Sequence, residues 1–222
     1  MEQTMSVKNR EKSYVIVPGL HMGMLTLADL ERLTALVRKY QVPGIKVTGA
    51  QRVALLGLPP ERLADLRQEL GLPEGPPHTR GRLHTVQACP GKTWCKYGLR
   101  DSLALGRRLE ELVLDRPLPA KVKVGISGCP MNCCESTLRD VGLQARSTGW
   151  RLTFGGNAAN RPRFGDVVAE GLDDEQALEL VRRCLAFYAD KAVYKSRSAR
   201  FMERFGSEFL RDGVLNNTGA AD

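Results

Sequence analysis

The succession of apolar and polar positions predicts a chain of short strands and amphipathic helices. Residues 13–18 are a β-branched run closed by proline, the pattern of a strand. A glycine- and methionine-containing loop follows over 19–26. Between 27 and 40, apolar side chains recur at 27, 30, 33, 36 and 37, which predicts a helix with one apolar face, and Thr26 stands where its cap belongs. Strands are predicted at 45–48 and 53–56, with a turn at 49–52 between them. Pro59 and Pro60 open a second helix to about Leu70, with Leu63, Leu66 and Leu70 turned inward.

The prolines of 73–77 break this pattern and predict a boundary between one unit at 1–77 and another at 78–222. Beyond it, residues 82–88 predict a strand and 98–114 a helix. Charged and apolar positions alternate over 121–126, a half-buried strand with Lys121 and Lys123 on one face. A short helix over 134–140, strands at 142–145 and 150–154, and helices at 173–188 and 198–205 complete the order. Asp173 and Asp174 suit a helix N-terminus. Residues 1–12 are polar and predicted to fray. The expected fold class is α+β.

Composition changes this picture little, and charge changes it more. With 222 residues, 42% of them hydrophobic, the chain can bury a core without covalent staples. No apolar run reaches the length of a membrane span, and the N-terminal residues lack the apolar segment of an export signal. The expectation is a cytoplasmic protein with no membrane partner. Lys and Arg number 33 against 25 Asp and Glu, a net +8 that favours an anionic partner. The absence of a basic block and an aromatic content of 6% argue against nucleic acid. An anionic cofactor or a small anionic substrate uses the same charge.

The cysteines concentrate the chemistry. Five of the six lie between 89 and 134, in two clusters. Five residues separate Cys89 from Cys95, three separate Cys129 from Cys133, and Cys134 follows directly. Two thiol pairs on Pro- and Gly-containing turns suit the four corners of an iron–sulfur cube. Structural zinc is the rival, although a gap of five fits its usual ligand spacing poorly. Buried or redox thiols are the third reading. Cys184 falls on an apolar helix face beside Leu180 and Leu185 and is predicted to be core.

In combination, the Cys-x5-Cys and Cys-x3-Cys pairs resemble the siroheme and iron–sulfur region of sulfite and nitrite reductases. Three further stretches agree. Residues 46–52 are similar to the substrate-side strand and turn of that family's ferredoxin-like half-domain, and 98–106 to the helix after its first cysteine pair. Gly155, Gly156 and Asn157, followed by Gly165 and Asp166, resemble its glycine-rich loop. The likeness runs from about Tyr14 to Gly206.

The resemblance implies a ferredoxin-like half-domain over 1–77, then an α/β domain over 78–222 that binds siroheme and a [4Fe-4S] cluster. It makes Cys89, Cys95, Cys129 and Cys133 the cluster ligands, with Cys133 also bridging to the siroheme iron. It implies the six-electron reduction of sulfite to sulfide, as in the small assimilatory-type sulfite reductases. The alternatives are nitrite reduction to ammonia at the same site and a non-catalytic cofactor-binding or electron-relay protein. The chain shows no Rossmann glycine fingerprint and has no room for flavin domains. Electrons are therefore expected from a separate small carrier such as a ferredoxin or a cytochrome. Lys121 and Lys123 match the family's paired lysines at the substrate, with Lys46 and Arg52 next in order. Arg82, His84, Asn132 and Asn157 are the candidates for holding siroheme, and either a monomer or a homodimer is expected. The chain departs from the family's pattern in three places. His84 stands where the family commonly has Arg, and Cys134 where it has a small or polar residue. The turn at 49–51 lacks an Arg, as in the nitrite reductases.

Overall fold

The computed structural model describes residues 14–73 and 75–215. These form two compact units, one on each side of residue 74.

The first unit is a three-stranded antiparallel sheet with two helices. Its strands β1 (Tyr14–Ile16), β2 (Gly44–Val47) and β3 (Val53–Leu56) stand in the order β1-β3-β2. Helices α1 (Leu27–Tyr40) and α2 (Pro60–Glu69) complete the core, in which Val15, Leu33, Leu36, Leu55 and Leu66 cluster. Thr26 starts α1 as the sequence predicts. Its Oγ1 accepts from Asp29 N at 3.2 Å, and its own N–H gives to the Asp29 carboxylate at 2.9 Å. The predicted apolar face of α1 is buried only in its second half. Leu33 and Leu36 are buried, while Leu27 and Leu30 are 72% and 48% exposed. A 14-residue helix runs about 21 Å and a four-residue strand about 13 Å, so the sheet is too short to cover the whole helix.

The second unit is a five-stranded mixed sheet in the order β4-β5-β6-β7-β8. The strands are β4 (Thr85–Ala88), β5 (Lys123–Ser127), β6 (Val141–Arg146), β7 (Gly149–Phe154) and β8 (Asp166–Leu172). β4, β5 and β6 run parallel, and β7 and β8 return antiparallel. Helices α4 (Ser102–Glu111), α5 (Asp174–Lys191) and α6 (Ser198–Leu215) pack against it, and a helical turn α3 (Gly91–Trp94) precedes them.

Strand alternation gives this sheet two unlike faces. Val124, Ile126, Val141, Leu143, Ala145, Trp150, Leu152 and Phe154 share one face and are fully buried. Phe154 meets Tyr188 of α5 edge-on with ring centroids 5.9 Å apart, and Trp150 Nε1 gives a hydrogen bond to Asp174 Oδ1 at 2.6 Å. Thr85, Gln87, Lys123, Gly125, Ser127, Gly142, Gln144 and Thr153 share the other face. It is polar or bare of side chain, yet Thr85, Gln87, Ser127, Gln144 and Thr153 are buried.

Several elements differ from expectation. The helix predicted over 98–114 is confined to Ser102–Glu111. Asp101 caps it by accepting from Ala104 N at 3.0 Å, and the N–H groups of Leu99 and Arg100 turn instead to Gly128 O at 2.7 and 3.2 Å. The helix expected over 134–140 is only a 3₁₀ turn, Ser136–Leu138. The last helix outruns its predicted end at 205, passing through a break at Gly206, where φ is 81° and ψ 168°. β8 has no predicted counterpart. Its burial is irregular and its pairing with β7 shifts register, so no clean period of two marks it. The first predicted residues, 1–12, lie outside the described residues.

Candidate functional site

Two neighbouring parallel strands deliver the cysteine pairs. β4 ends at Ala88, which pairs with Ile126 of β5, and Cys89 follows with its N–H on Ile126 O at 3.1 Å. β5 runs on to Ser127, Gly128 and Cys129. Ligand sites gather at the carboxyl ends of parallel strands for this reason: adjacent loops emerge side by side. The two loops are then pinned to each other. Ser102 Oγ gives to Cys89 O at 2.7 Å, and Gly128 N points at Cys89 Sγ at 3.1 Å. Gly91 (φ 65°) is the contact point, because a side chain there would meet Ser102 N at 2.8 Å. Between Cys89 and Cys95, α3 closes with Cys95 N on Gly91 O at 2.9 Å.

All six cysteines are free thiols. Cys89 and Cys129 are buried, Cys95 is half-buried and Cys133 is exposed. Among the described residues, no three His, Cys, Asp or Glu side chains are gathered as a metal-ion site. Burial pushes the Cys134 thiol up to about 12, and the nearby Cys89 and Cys133 thiols add to it. Cys134 is thus a buried protonated thiol beside the predicted ligands. Cys184 is fully buried in α5 and likewise pushed up to about 12 by desolvation.

After Cys133 the chain folds back over the polar face of the sheet. Gly125 and Gly142 make this possible. A Cβ on Gly125 would lie 2.9 Å from Cys134 O, and one on Gly142 would run into the Ser136 carbonyl. Asn132 (φ 57°) holds the turn, giving from Nδ2 to Thr137 Oγ1 at 2.9 Å and accepting at Oδ1 from Ser136 N at 2.9 Å. Ser127 Oγ accepts from Cys134 N at 3.1 Å and from Ser136 Oγ at 2.6 Å. The cysteine turn therefore lies two residues along β5 from Lys123.

The predicted cations fall in different places. Lys123 is half-buried on the polar face. Burial first, then Arg197, hold its amine below the usual lysine value, while Asp140 works against them. Lys121 is exposed just before the strand. Arg82 and His84 stand at the same edge of the sheet: His84 N gives to Val122 O at 2.8 Å, and Arg82 is exposed. Asn157 serves its own loop, giving to Arg161 O at 2.7 Å and accepting from Ala159 N at 3.2 Å. Lys46 and Arg52 belong to the first unit. Lys46 is exposed on β2. Arg52 follows the turn at 48–51, its Nε is buried with no hydrogen-bond partner among the described residues, and burial lowers its pKa.

Sequence reasoning missed Arg139, Asp140 and Arg197. Arg139 reaches from the sheet back to Cys134 O at 3.3 Å and pairs with Glu135 at 2.9 Å. Arg197, at the start of α6, pairs with the buried Asp140 at 2.7 Å. Nothing periodic marks these residues; only the position of Arg139 soon after the second cysteine pair was available as a signal.

This arrangement fits an anionic, many-carboxylate cofactor beside a thiolate-held cluster. Lys123, Arg139 and Arg197 supply cations, and Gly128 already directs an N–H at a cysteine sulfur. Thr85 Oγ1, Gln144 Oε1 and Arg197 Nε are buried without a hydrogen-bond partner among the described residues.

With this geometry in hand, the class follows. Residues 80–220 match the model of the nitrite and sulphite reductase 4Fe-4S domain, and 7–72 match that of the nitrite/sulfite reductase ferredoxin-like half domain. The chain belongs to this family of oxidoreductases, whose members carry siroheme and a 4Fe-4S cluster. It is 44% identical over 211 residues to the assimilatory-type sulfite reductase of Nitratidesulfovibrio vulgaris, covering 95% of this chain and 96% of that protein. It is 35% identical to the NAD(P)H nitrite reductase of Bacillus subtilis, covering 94% of this chain but only 26% of that one. Among solved structures, dissimilatory sulfite reductase I superposes with a TM-score of 0.73 at 14% identity, over 94% of this chain and 69% of that one. That likeness confirms the α+β fold. No helix among the described residues is long and apolar enough to cross a membrane.

Proposed function

We propose that this chain reduces sulfite to sulfide, using siroheme and one [4Fe-4S] cluster, with electrons from a separate small carrier. One observation supports this above the rest. The second cysteine turn folds back across Gly125, two residues along β5 from Lys123, so that turn and the lysine share one face of the sheet. In this reading Cys89, Cys95, Cys129 and Cys133 hold the cluster, and Cys133 also reaches the siroheme iron. The cofactor pair supplies stored electrons, delivered singly to one bound anion. The protein's part is to hold that anion and move protons. Lys123 suits both roles, because its lowered pKa lets the amine give up a proton more readily than an exposed lysine. Lys121 adds a second cation, and Arg52 and Lys46 are further substrate candidates by the family resemblance alone. The resemblance in length and sequence to the small assimilatory-type relative favours sulfite. A cytoplasmic location, and a monomer or homodimer, belong to the same proposal.

Nitrite is the second reading. The turn at 49–51 lacks the Arg of haemoprotein sulfite reductases, and nitrite reductases are among the relatives. The test is anaerobic purification with iron, sulfide and siroheme analysis, then turnover on sulfite and nitrite side by side. Lys121→Met combined with Lys123→Met is expected to abolish turnover while siroheme absorption persists. Full turnover in that variant would show that the lysines do not serve the substrate.

A further inference from the structure

Asp140 occupies an unusual position for a carboxylate. It is 3% exposed, at the junction of three elements. Its Oδ2 accepts from Lys123 N at 2.9 Å and from Arg197 Nη2 at 2.7 Å. Its Oδ1 accepts from Ser198 Oγ, and its main-chain oxygen accepts from Gly155 N at 2.8 Å. One residue thereby ties the start of β5, the start of α6 and the glycine loop together.

Beside it is a cavity of about 190 Å³ whose wall includes Lys123, Arg139, Asp140, Asn157 and Arg197. At ~30 Å³ per water this is room for about six waters, enough for a sulfite or a carboxylate group. Its three cations face two acids, Asp140 and the Glu135 partner of Arg139, so a positive charge is left over. Arg197 has one edge of its planar fork fixed by Asp140, while its buried Nε has no hydrogen-bond partner among the described residues. A second cavity of about 350 Å³ shares Asp140, Asn157 and Arg197, and adds Arg161, Lys195 and Arg200 with one acid, Glu203.

We propose that Asp140 is a positioning residue. It seats Arg197 and the first residue of β5 so that Arg197, Lys123 and Arg139 line one small pocket for an oxyanion or carboxylate. The ligand has two sources: free sulfite, or a peripheral carboxylate of the tetrapyrrole. The second source rests on the cofactor assignment proposed above.

The test uses the full chain, purified anaerobically, with Asp140→Asn, Arg197→Met and the double variant. Calorimetry reads sulfite affinity, pigment extraction reads siroheme per chain, and thermal unfolding reads stability. Each single variant is expected to weaken one binding arm roughly tenfold, the size of one lost charged hydrogen bond. The double variant is expected to be no worse than Asp140→Asn alone, because Asp140 is what seats Arg197. A fall in sulfite affinity at unchanged siroheme content assigns the pocket to the free oxyanion. A fall in siroheme content at unchanged sulfite affinity assigns it to a cofactor carboxylate. Additive losses, or a lowered melting temperature with both arms unchanged, overturn the proposal. If Asp140→Asn fails to fold, Arg197→Met and Arg197→Lys carry the same arms, with the lysine expected to restore part of the affinity. Wild-type protein that takes up no siroheme sinks the proposed function alone. The sulfite arm then decides the inference, and wild-type protein that binds no sulfite either ends it.

Discussion

On the helix side of the five-stranded sheet, Val124, Ile126, Val141, Leu143 and Leu152 are apolar and fully buried. One residue along in the same strands, Lys123, Gly125, Gly142 and Thr153 are polar or have no side chain. Both faces are largely covered, but by different physics. The first gains from removing hydrocarbon from water. The second gains little in that way, and each buried polar group on it must find a partner or cost stability. The division separates tasks: one face holds the unit together, and the other leaves the chain room to lay the second cysteine turn flat against β5 and β6. Damage to the two faces is therefore expected to give different symptoms.

The largest loss of stability is expected from Leu143→Ala, at about 2–5 kcal/mol for a fully buried leucine. Denaturant unfolding measures it, and iron per folded chain should stay at the wild-type value. A parallel fall in iron would erase the distinction between the faces. Gly142→Ala comes next, at about 1–3 kcal/mol, because its Cβ meets main-chain atoms of the turn that cannot move aside cheaply. Here the iron content is expected to fall, since the cysteine turn must lift; full iron loading at wild-type stability would show that the close approach is dispensable. Cys134→Ala sharpens the picture on a smaller scale. The thiol is buried, and its removal should cost about 1 kcal/mol with iron unchanged. Loss of an iron there would make Cys134 a ligand. The smallest effect is expected at Glu179 on the outer side of α5, held down to about 2 by Arg182 and Arg183. A carboxylate with a lowered folded pKa stabilises above its ordinary value of 4.5, and that contribution is lost as pH falls towards about 2. The side chain is 42% exposed, so Glu179→Gln should cost under ~0.5 kcal/mol at neutral pH, and acid titration of the two proteins should converge.

The helix-side face was legible in the sequence because burial follows a period. The apolar positions of 121–126 and 150–154 marked their strands, and Thr26 marked the start of α1. The cysteines were legible because their spacing is local. What failed to show was anything set by distant partners. The start of α4 depends on Gly128, distant in sequence, whose carbonyl holds the N–H groups of Leu99 and Arg100 and keeps those residues ahead of the Asp101 cap. Arg139, Asp140 and Arg197 carry no local pattern, and only folding brings them to Lys123. Leu27 and Leu30 show the converse: a sound helical period exposed by a sheet too short to reach it.

The parallel pairing of β4 and β5 also sets an order of events. Cys89 and Cys129 become neighbours only once the intervening stretch has crossed over and the second strand has docked. Closing so long a loop costs entropy that must be met before the two cysteine pairs can share one cluster. Assembly of the inorganic core should thus lag behind sheet formation, and a refolding chain should acquire β-structure by circular dichroism before it acquires colour.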